Sequence, residues 1–279
     1  MLRAQLLRFA LGFGLMVVLA QIPPYFYLRL APWLYLVGLV LLILTYPFGT
    51  EVNGSKRWLR VPGLINFQPS ELMKILLPLV LAWYFNDRHL PPKPKYIFIS
   101  GVLCLLPAAL IYGQPDLGTA LIIAASGLIL LVLAGLPWRY FVWSGLSLVA
   151  AAPALWFLIR DYQRQRILTL LDPERDPLGA GWNIIQSKIA IGSGGFSGKG
   201  LFNGTQTHLD FLPESQTDFI IAVLAEELGF IGVASLLLGY GLLILRGLLI
   251  SLNAQDTFGR LLCGSITFTF SVYVFVNIG

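Results

Sequence analysis

The chain has 279 residues, of which 57% are hydrophobic and 12% are charged. An ordinary soluble domain carries about twice this charged fraction, so the composition excludes a soluble cytosolic enzyme, and the high hydrophobicity excludes intrinsic disorder. The expected solvent is therefore a lipid bilayer. The net charge of +5 comes without a basic cluster, which indicates loop charges facing anionic lipid headgroups rather than nucleic-acid binding.

Long apolar runs follow one another along the chain and predict eight transmembrane helices. Strands are not expected in these runs, because each run is about twice as long as a membrane-spanning strand and does not alternate. No small-residue cleavage pattern follows the first run, so we interpret it as a retained helix rather than a signal peptide. The predicted fold class is an all-α polytopic membrane bundle. The runs lie at about 6–22, 31–48, 72–86, 96–113, 117–136, 140–159, 219–245 and 261–278.

One hydrophilic segment, residues 160–218, is much longer than the other connections and holds many of the charged residues. Long connections of this kind are usually functional or disordered. Within it, apolar residues recur at helical spacing over residues 182–190, which predicts a short helix on the membrane surface. The short loops on the opposite side carry a slight excess of basic residues, so we expect the long segment to be extracytoplasmic.

Two ionisable residues, Glu71 and Lys74, lie three positions apart at the start of a predicted helix. Residues at this spacing share one helix face, so the two side chains can pair and enter the low-dielectric region together. The pair has two interpretations. It is either a structural ion pair at a helix start, or part of a binding pocket in which Lys74 or the nearby Arg57 contacts a phosphate.

Three other acidic residues are predicted to have structural roles. Glu226 and Glu227 are adjacent in the sequence and point about 100° apart on a helix, so at least one of them should face the interior as a packing residue. Asp116 follows Pro115 at the junction of two spans, where a carboxylate in the first turn favours the positive end of the helix dipole.

Asp218 ends the long segment at the point where the 219–245 run begins. It either caps that helix or acts as a general base, with Asp210 and Glu214 recurring every four residues to raise its pKa or to hold a cation.

Elsewhere in the segment, Lys188 and Lys199 flank a Gly-rich turn. Exposed backbone N–H groups of such a turn, together with the two ammonium groups, would suit a pyrophosphate.

Long and specific motifs run in order through nearly the whole chain: VNGSKRWLRVPGLINFQPSELMK (52–74), GQPDLGTAL (113–121), DYQRQRILTLLDPERDPLGAGWNIIQSKIAIGSGGFSGKGL (161–201), GTQTHLDFLPESQTDFIIAVLAEELGFIG (204–232) and FVNIG (275–279). In these residues the chain resembles the SEDS family (shape, elongation, division and sporulation), and its RodA branch more than its FtsW branch. We therefore interpret residues 1–279 as a single membrane-embedded domain of this type.

This resemblance implies a peptidoglycan glycosyltransferase of the bacterial plasma membrane that polymerises lipid II, a disaccharide-peptide carried on undecaprenyl pyrophosphate. It implies that Asp218, in the Thr-Asp-Phe motif, is catalytic and takes the proton from the acceptor hydroxyl in an inverting transfer. It implies roles in activity for the Glu71–Lys74 pair and for Arg57. Lys74, Arg57 or basic residues of the long loop would offset the charge of the departing pyrophosphate, with a divalent cation, Mg²⁺ or Mn²⁺, as a further candidate.

The resemblance also implies partners, namely a class B penicillin-binding protein, other proteins of the elongation complex and the surrounding membrane lipids. The chain departs from the family pattern at Gln216, where a histidine is usual. It also has eight predicted spans against the family's ten, so we expect the first and last spans of the family to be lacking. Two other functions stay open: a lipid II flippase, and a non-catalytic scaffold for a transpeptidase, which the shorter chain favours.

Overall fold

The structure is a computed structural model, and it describes residues 2–52, 55–60, 66–158, 164–165, 168–169, 172, 174, 180–201, 203–205 and 219–278. Within these ranges the chain is predominantly helical, which confirms the predicted all-α class. Each of the eight predicted apolar runs overlaps a helix, although the helix bounds differ from the run bounds by up to eight residues, and a further helix contains residues 182–190. The helices are α1 (Leu2–Gln21), α2 (Pro24–Phe48), α3 (Pro69–Asn86), α4 (Pro94–Gly113), α5 (Leu117–Leu133), α6 (Trp138–Leu158), α7 (Ala180–Gly194), α8 (Ile220–Asn253) and α9 (Thr257–Ile278).

Among the described helices, four are long and apolar enough to cross a bilayer, namely α2, α4, α8 and α9. The outward-facing side chains of the bundle are also apolar: Phe9 is 76% exposed, Trp33 67% and Leu238 66%. Exposed apolar patches of this extent are rare on soluble monomers, because water disfavours them, whereas lipid tails solvate them well. Helix length and surface composition therefore agree on a membrane environment.

The starts of several helices follow from local chemistry. Pro24, Pro69 and Pro94 each occupy the first turn of a helix, where the missing backbone N–H costs no hydrogen bond. Asp116 directly precedes α5, and its Oδ1 accepts a hydrogen bond from the backbone N–H of Thr119 at 3.2 Å. This geometry confirms the predicted role of Asp116 at a helix start.

A small antiparallel sheet lies in the connection between α2 and α3 and was not predicted. It contains β1 (Thr50–Val52), β2 (Ser55–Arg60) and β3 (Asn66–Phe67) in the order β1-β2-β3. Thr50 pairs with Trp58 across the first two strands, and Leu59 pairs with Phe67 across the second and third. The sequence holds a hairpin signal at this place, since an Asn-Gly dipeptide separates β1 from β2.

The chain divides into two compact units, Met1–Leu136 with Arg246–Val272, and Pro137–Leu245 with Tyr273–Gly279. In the first unit α3 forms the centre, because Met73, Leu77 and Leu81 are completely buried at four-residue spacing. They pack with buried side chains of α2, α4, α5 and α9. The second unit has a smaller core in which Ala190 of α7 and Ala222 of α8 are buried with Phe219 packed against them.

Candidate functional site

Arg57, on β2, attaches the hairpin to the turn between α4 and α5. Its Nε donates to the carbonyl oxygen of Gln114 at 3.3 Å, and its Nη2 donates to the carbonyl oxygen of Pro115. Its Nη1 lies 3.6 Å from Oδ2 of Asp116. Three nitrogens of one planar guanidinium thus contact three consecutive residues, an arrangement that a lysine ammonium does not reproduce.

Asp116 connects several elements of the first unit. Besides capping α5, its carboxylate faces Arg57, and its Oδ2 accepts a hydrogen bond from Nε2 of Gln68 at 3.2 Å. The neighbouring Gln114 is 4% exposed and donates from Nε2 to the carbonyl oxygen of Leu42 at 3.0 Å. The turn is therefore fastened to α2, to β2 and to the start of α3. The contact of Asp116 with Arg57 was not predicted, because the two residues are far apart in the sequence.

The predicted Glu71–Lys74 pair is formed at the start of α3, with 2.6 Å between Nζ and Oε1. The side chain of Lys74 is 6% exposed and that of Glu71 is 54% exposed, so the pair reaches from the interior to the surface. The glutamate thereby supplies the counter-charge that a buried ammonium requires. Because Gln68 immediately precedes α3 and contacts Asp116, this pair and the Arg57 cluster lie at the same end of the first unit.

The second unit contains a cavity of about 400 Å³ next to the start of α8. Its walls come from α7, from the first turn of α8 and from the last turn of α9, and they are mostly apolar. The exposed side chain of Lys188 lines the cavity and is its only charged lining residue among the described residues. The lining residues are Ile184, Ser187, Lys188, Ile191, Phe219, Ile221, Ala222, Val276, Asn277 and Ile278.

Helix α8 is broken at Gly229, which has φ 65° and ψ −160°. A break in the middle of an apolar helix leaves carbonyl and N–H groups without their helical partners. The loop after α7 satisfies them from both sides. The N–H groups of Lys199 and Gly200 donate to the carbonyl oxygens of Glu226 and Glu227 at 3.0 and 2.9 Å. Beyond the break, the N–H groups of Phe230 and Ile231 donate to the carbonyl oxygens of Gly195 and Phe196 at 2.9 and 3.2 Å.

Glycines make this contact between loop and helix possible. A Cβ on Gly194 would overlap with the carbonyl oxygen of Ala225, and a Cβ on Gly198 would overlap with the carbonyl oxygen of Glu227. Gly198 also has φ 78°, a conformation that residues with side chains rarely adopt. The Gly-rich sequence therefore lets two backbones approach closely, a use of glycine that was not predicted.

The carboxylate of Glu226 is completely buried beside this contact. Its Oε1 lies 2.7 Å from Nζ of Lys199. The same oxygen accepts hydrogen bonds from the backbone N–H of Thr205 at 2.8 Å and from the Thr205 hydroxyl at 2.9 Å. The Lys199 ammonium also donates to the Thr205 hydroxyl at 2.8 Å. The prediction that one of the adjacent glutamates faces the interior is confirmed, and the partners are new.

The predicted pair of phosphate-binding lysines is divided between two places. Lys188 lines the cavity, whereas Lys199 pairs with Glu226. The N–H groups of Gly198, Lys199 and Gly200 donate to the carbonyl oxygens of Gly194, Glu226 and Glu227, so in this structure the turn does not offer them to an anion. A role of either lysine in substrate binding stays a prediction.

Several predicted residues lie outside the described ranges. These include Asp218 and the residue Gln216, as well as the carboxylates Asp210 and Glu214. Phe219, the immediate neighbour of Asp218 in the chain, does line the cavity. Within the described part of the chain, no three His, Cys, Asp or Glu side chains come together as a possible metal site.

Three comparisons with known proteins identify relatives of this chain. The family model described as "Cell cycle protein", which covers FtsW, RodA and SpoVE, matches residues 1–279. The peptidoglycan glycosyltransferase MrdB of Escherichia coli K12 is 51% identical over 100% of this chain and 75% of MrdB.

Solved structures agree with the sequence comparison. One matching chain belongs to a peptidoglycan synthase complex described as coordinating polymerization and crosslinking. It matches 98% of this chain and 76% of its own length, with 36% identity and a TM-score of 0.81. The rod shape determining protein RodA of Thermus thermophilus matches 98% of this chain and 73% of its own length, with 30% identity and a TM-score of 0.67.

Proposed function

This chain belongs to the FtsW, RodA and SpoVE family of cell cycle proteins, and on that premise we propose that it is a peptidoglycan glycosyltransferase that polymerises lipid II. The observation that carries the proposal is the 51% identity, over the whole chain, to a protein named for this activity. The proposed setting is the bacterial plasma membrane, with residues 160–218 on the extracytoplasmic side. Glycan strands made there would serve cell elongation and rod shape.

The cavity of the second unit supports a site for an amphiphilic substrate. It is mostly apolar and is lined by one ammonium group, that of Lys188, among the described residues. Lipid II combines an apolar chain with a pyrophosphate, and a lysine ammonium is a common partner of phosphate oxygens. The surrounding apolar helix surface allows the lipid to remain in the bilayer while the sugars reach the polar loops.

In the proposed reaction the carboxylate of Asp218 accepts the proton of the acceptor sugar's 4-hydroxyl as its oxygen attacks the anomeric carbon of the donor. The new glycosidic C–O bond forms on the face opposite the leaving group, so the configuration is inverted. The bond between the anomeric carbon and the pyrophosphate oxygen breaks, and the negative charge moves to the pyrophosphate. Lys74, Arg57 or a basic residue of the long loop such as Lys188 would stabilise this charge, since cations aimed at developing charge lower the barrier.

The cation that the sequence suggested stays a prediction. In the described part of the chain, the carboxylates of Glu71 and Glu226 are each within ion-pair distance of a lysine, and no cluster of three metal-binding side chains is present. Asp210, Glu214 and Asp218, the carboxylates that the sequence suggested for a cation, lie outside the described residues. Dependence of the rate on added Mg²⁺ or Mn²⁺ is the measurement that bears on the cation.

A class B penicillin-binding protein is the proposed partner, because one similar chain belongs to a complex described as coordinating polymerization and crosslinking. Polymerised glycan would pass from this chain to a transpeptidase in the same complex. Other elongation-complex proteins and the membrane lipids complete the proposed surroundings.

The test uses the purified full chain in lipid nanodiscs, with fluorescent lipid II and gel separation of the products, with and without the class B partner. We expect glycan polymer from the wild-type chain and a loss of about 100-fold or more in rate for Asp218→Asn, because the amide cannot accept the proton. Asp87→Asn, at the opposite end of α3, is the matched control and should polymerise at the wild-type rate.

Two results would contradict the proposed function. Transfer of lipid II across a vesicle membrane without polymer would support a flippase instead. Binding of the class B partner without polymer or transfer would support a scaffold. Full polymerisation by Asp218→Asn would retain the function but contradict the role of that aspartate.

A further inference from the structure

Glu226 is the most completely buried charged residue among the described residues, with 0% of its side chain exposed. Burying a carboxylate is expensive unless hydrogen bonds and an opposite charge compensate it. Here Oε1 forms an ion pair with the ammonium of Lys199 and accepts hydrogen bonds from both the N–H and the hydroxyl of Thr205. A single oxygen therefore binds two residues that come from a different part of the chain.

Thr205 and Phe219 flank residues 206–218 in the sequence. Phe219 belongs to the start of α8, because its carbonyl oxygen accepts a hydrogen bond from the N–H of Val223 at 3.2 Å. Thr205 is held on the same helix through Glu226, seven residues further along. Thr205 and Phe219 are thus both attached to the first part of α8, at positions about 10 Å apart along the helix axis.

The contact is reinforced by the backbone around it. Lys199 donates its own N–H to the carbonyl oxygen of Glu226 while its ammonium pairs with the Glu226 carboxylate. A cation at the end of the helical segment before Gly229 also interacts favourably with the negative end of that segment's dipole. Thr205 is therefore attached to the carboxylate of a residue whose own backbone carbonyl is bonded to the loop at Lys199.

We propose that Glu226 is a positioning residue for glycosyl transfer, which holds Lys199 and Thr205 against the first part of α8, the helix that Asp218 directly precedes in the sequence. This inference rests on the proposed function, in which Asp218 is the general base. A firmly held start of α8 favours a constant position of the neighbouring general base relative to the acceptor, so the contact acts on the chemical step. Glu226 itself touches no substrate in this role.

The first experiment measures initial polymerisation rates at several lipid II concentrations. Glu226→Gln keeps the shape and an acceptor oxygen for Thr205 but removes the charge that pairs with Lys199. We expect kcat to fall about tenfold or more while KM stays within about twofold, because positioning affects the transition state more than binding. Lys199→Arg keeps the cation and should retain about a third or more of the wild-type kcat.

Glu227→Gln is the matched control, because Glu227 is the next residue on the same helix and its side chain is outside this contact. It should show the wild-type kcat and KM. A Glu226→Gln variant with kcat within twofold of wild type, or with an increased KM and an unchanged kcat, would overturn the proposal. The same conclusion would follow if Lys199→Arg lost as much activity as Lys199→Gln.

The second experiment does not depend on activity and therefore separates this proposal from the proposed function. Hydrogen exchange of the amides in residues 199–205 is compared between the wild-type chain, Lys199→Gln and Glu227→Gln in nanodiscs. We expect faster exchange in Lys199→Gln only, since Thr205 then loses part of its attachment. Equal exchange in all three chains would overturn the positioning role, even if the wild-type chain polymerises lipid II. Absence of polymer with faster exchange in Lys199→Gln would retain the attachment and refute the function.

Discussion

Two ion pairs among the described residues attach connecting segments to helices, and they differ in burial. In the first unit, the Arg57 side chain is 32% exposed and Asp116 is 11% exposed. In the second unit, the Lys199 side chain is 28% exposed while Glu226 is completely buried. The two cationic side chains are thus similarly exposed, and the pairs differ in how deeply the carboxylate is buried.

This difference determines what each pair does for the fold. Asp116 also caps α5 and accepts a hydrogen bond from Gln68, so its charge keeps other contacts if Arg57 is removed. If Lys199 were removed, the Glu226 carboxylate would keep its hydrogen bonds from Thr205, but its charge would lose the Lys199 ammonium while remaining completely buried. Loss of one partner of a buried pair costs much more than loss of a partly exposed one, because the remaining charge cannot be hydrated.

The largest effect is expected where the loop crosses the break in α8. In Gly229→Ala, the new Cβ would lie 2.7 Å from the carbonyl oxygen of Phe196, at a residue with φ 65°. Neither backbone segment can move without losing hydrogen bonds, so we expect a loss of about 3 kcal/mol or more in the free energy of unfolding. Unfolding in detergent micelles measures it.

Gly192→Ala is the control for this change. Gly192 lies in the same glycine-rich region, and an added Cβ there would meet nothing within 4 Å. Because it lies inside α7, alanine should leave stability unchanged or increase it by up to about 1 kcal/mol. A similar loss in both variants would contradict a specific contact at Gly229.

The next effect concerns the buried carboxylate. Lys199→Met should lower the free energy of unfolding by about 2–3 kcal/mol, which is reduced from the value for fully buried pairs because Lys199 is partly exposed. Adding Glu226→Gln to this variant should recover part of the loss, since no uncompensated charge then remains. Additive losses in the double variant would show that the two residues do not interact.

A smaller effect is expected at the partly exposed pair. Arg57→Met should cost about 1 kcal/mol of unfolding free energy, and the cost should decrease at high salt, which screens exposed charges. Arg60→Met is the control, because Arg60 is exposed on the same strand and should change stability by less than about 0.5 kcal/mol. Equal effects of both variants would mean that the contact with the α4–α5 turn contributes nothing.

The smallest effect is expected for Asp116→Asn. Asparagine caps a helix about as well as aspartate, so only the charge interaction with Arg57 is lost and the cost should be about 0.5 kcal/mol. Asp116→Ala removes the cap as well and should cost about 1 kcal/mol more. Thermal unfolding of both variants separates the capping contribution from the ion pair.

Parts of the site were predictable because they depend on neighbouring residues. The pairing of Glu71 with Lys74 follows from their spacing on one helix, and the capping role of Asp116 follows from its position after Pro115. The sheet after α2 was missed, although its Asn-Gly dipeptide is a hairpin signal. The strands are only 3, 6 and 2 residues long, which is too short for a periodic apolar pattern to indicate them.

Other parts were not predictable from spacing. The contacts of Arg57 with Asp116 and of Lys199 with Glu226 join residues that are far apart in the chain. The predicted pyrophosphate site of Lys188 and Lys199 is an example. The two lysines are close in sequence, but Lys188 lines the cavity and Lys199 pairs with the buried Glu226. Nothing in the local sequence indicates which partner a long, flexible side chain will reach.

The sequence by itself determined the helical class and the membrane environment, because an apolar run in lipid must satisfy its backbone hydrogen bonds internally and therefore forms a helix. It also placed the start of α5, which Asp116 caps, whereas α2 begins at Pro24, about seven residues before the predicted run. Only the tertiary structure decided that the glycine-rich loop closes a break in α8 and that Glu226 is buried beneath Thr205. Those features depend on which helices approach each other, and that choice results from packing over the whole chain rather than from any short stretch of it.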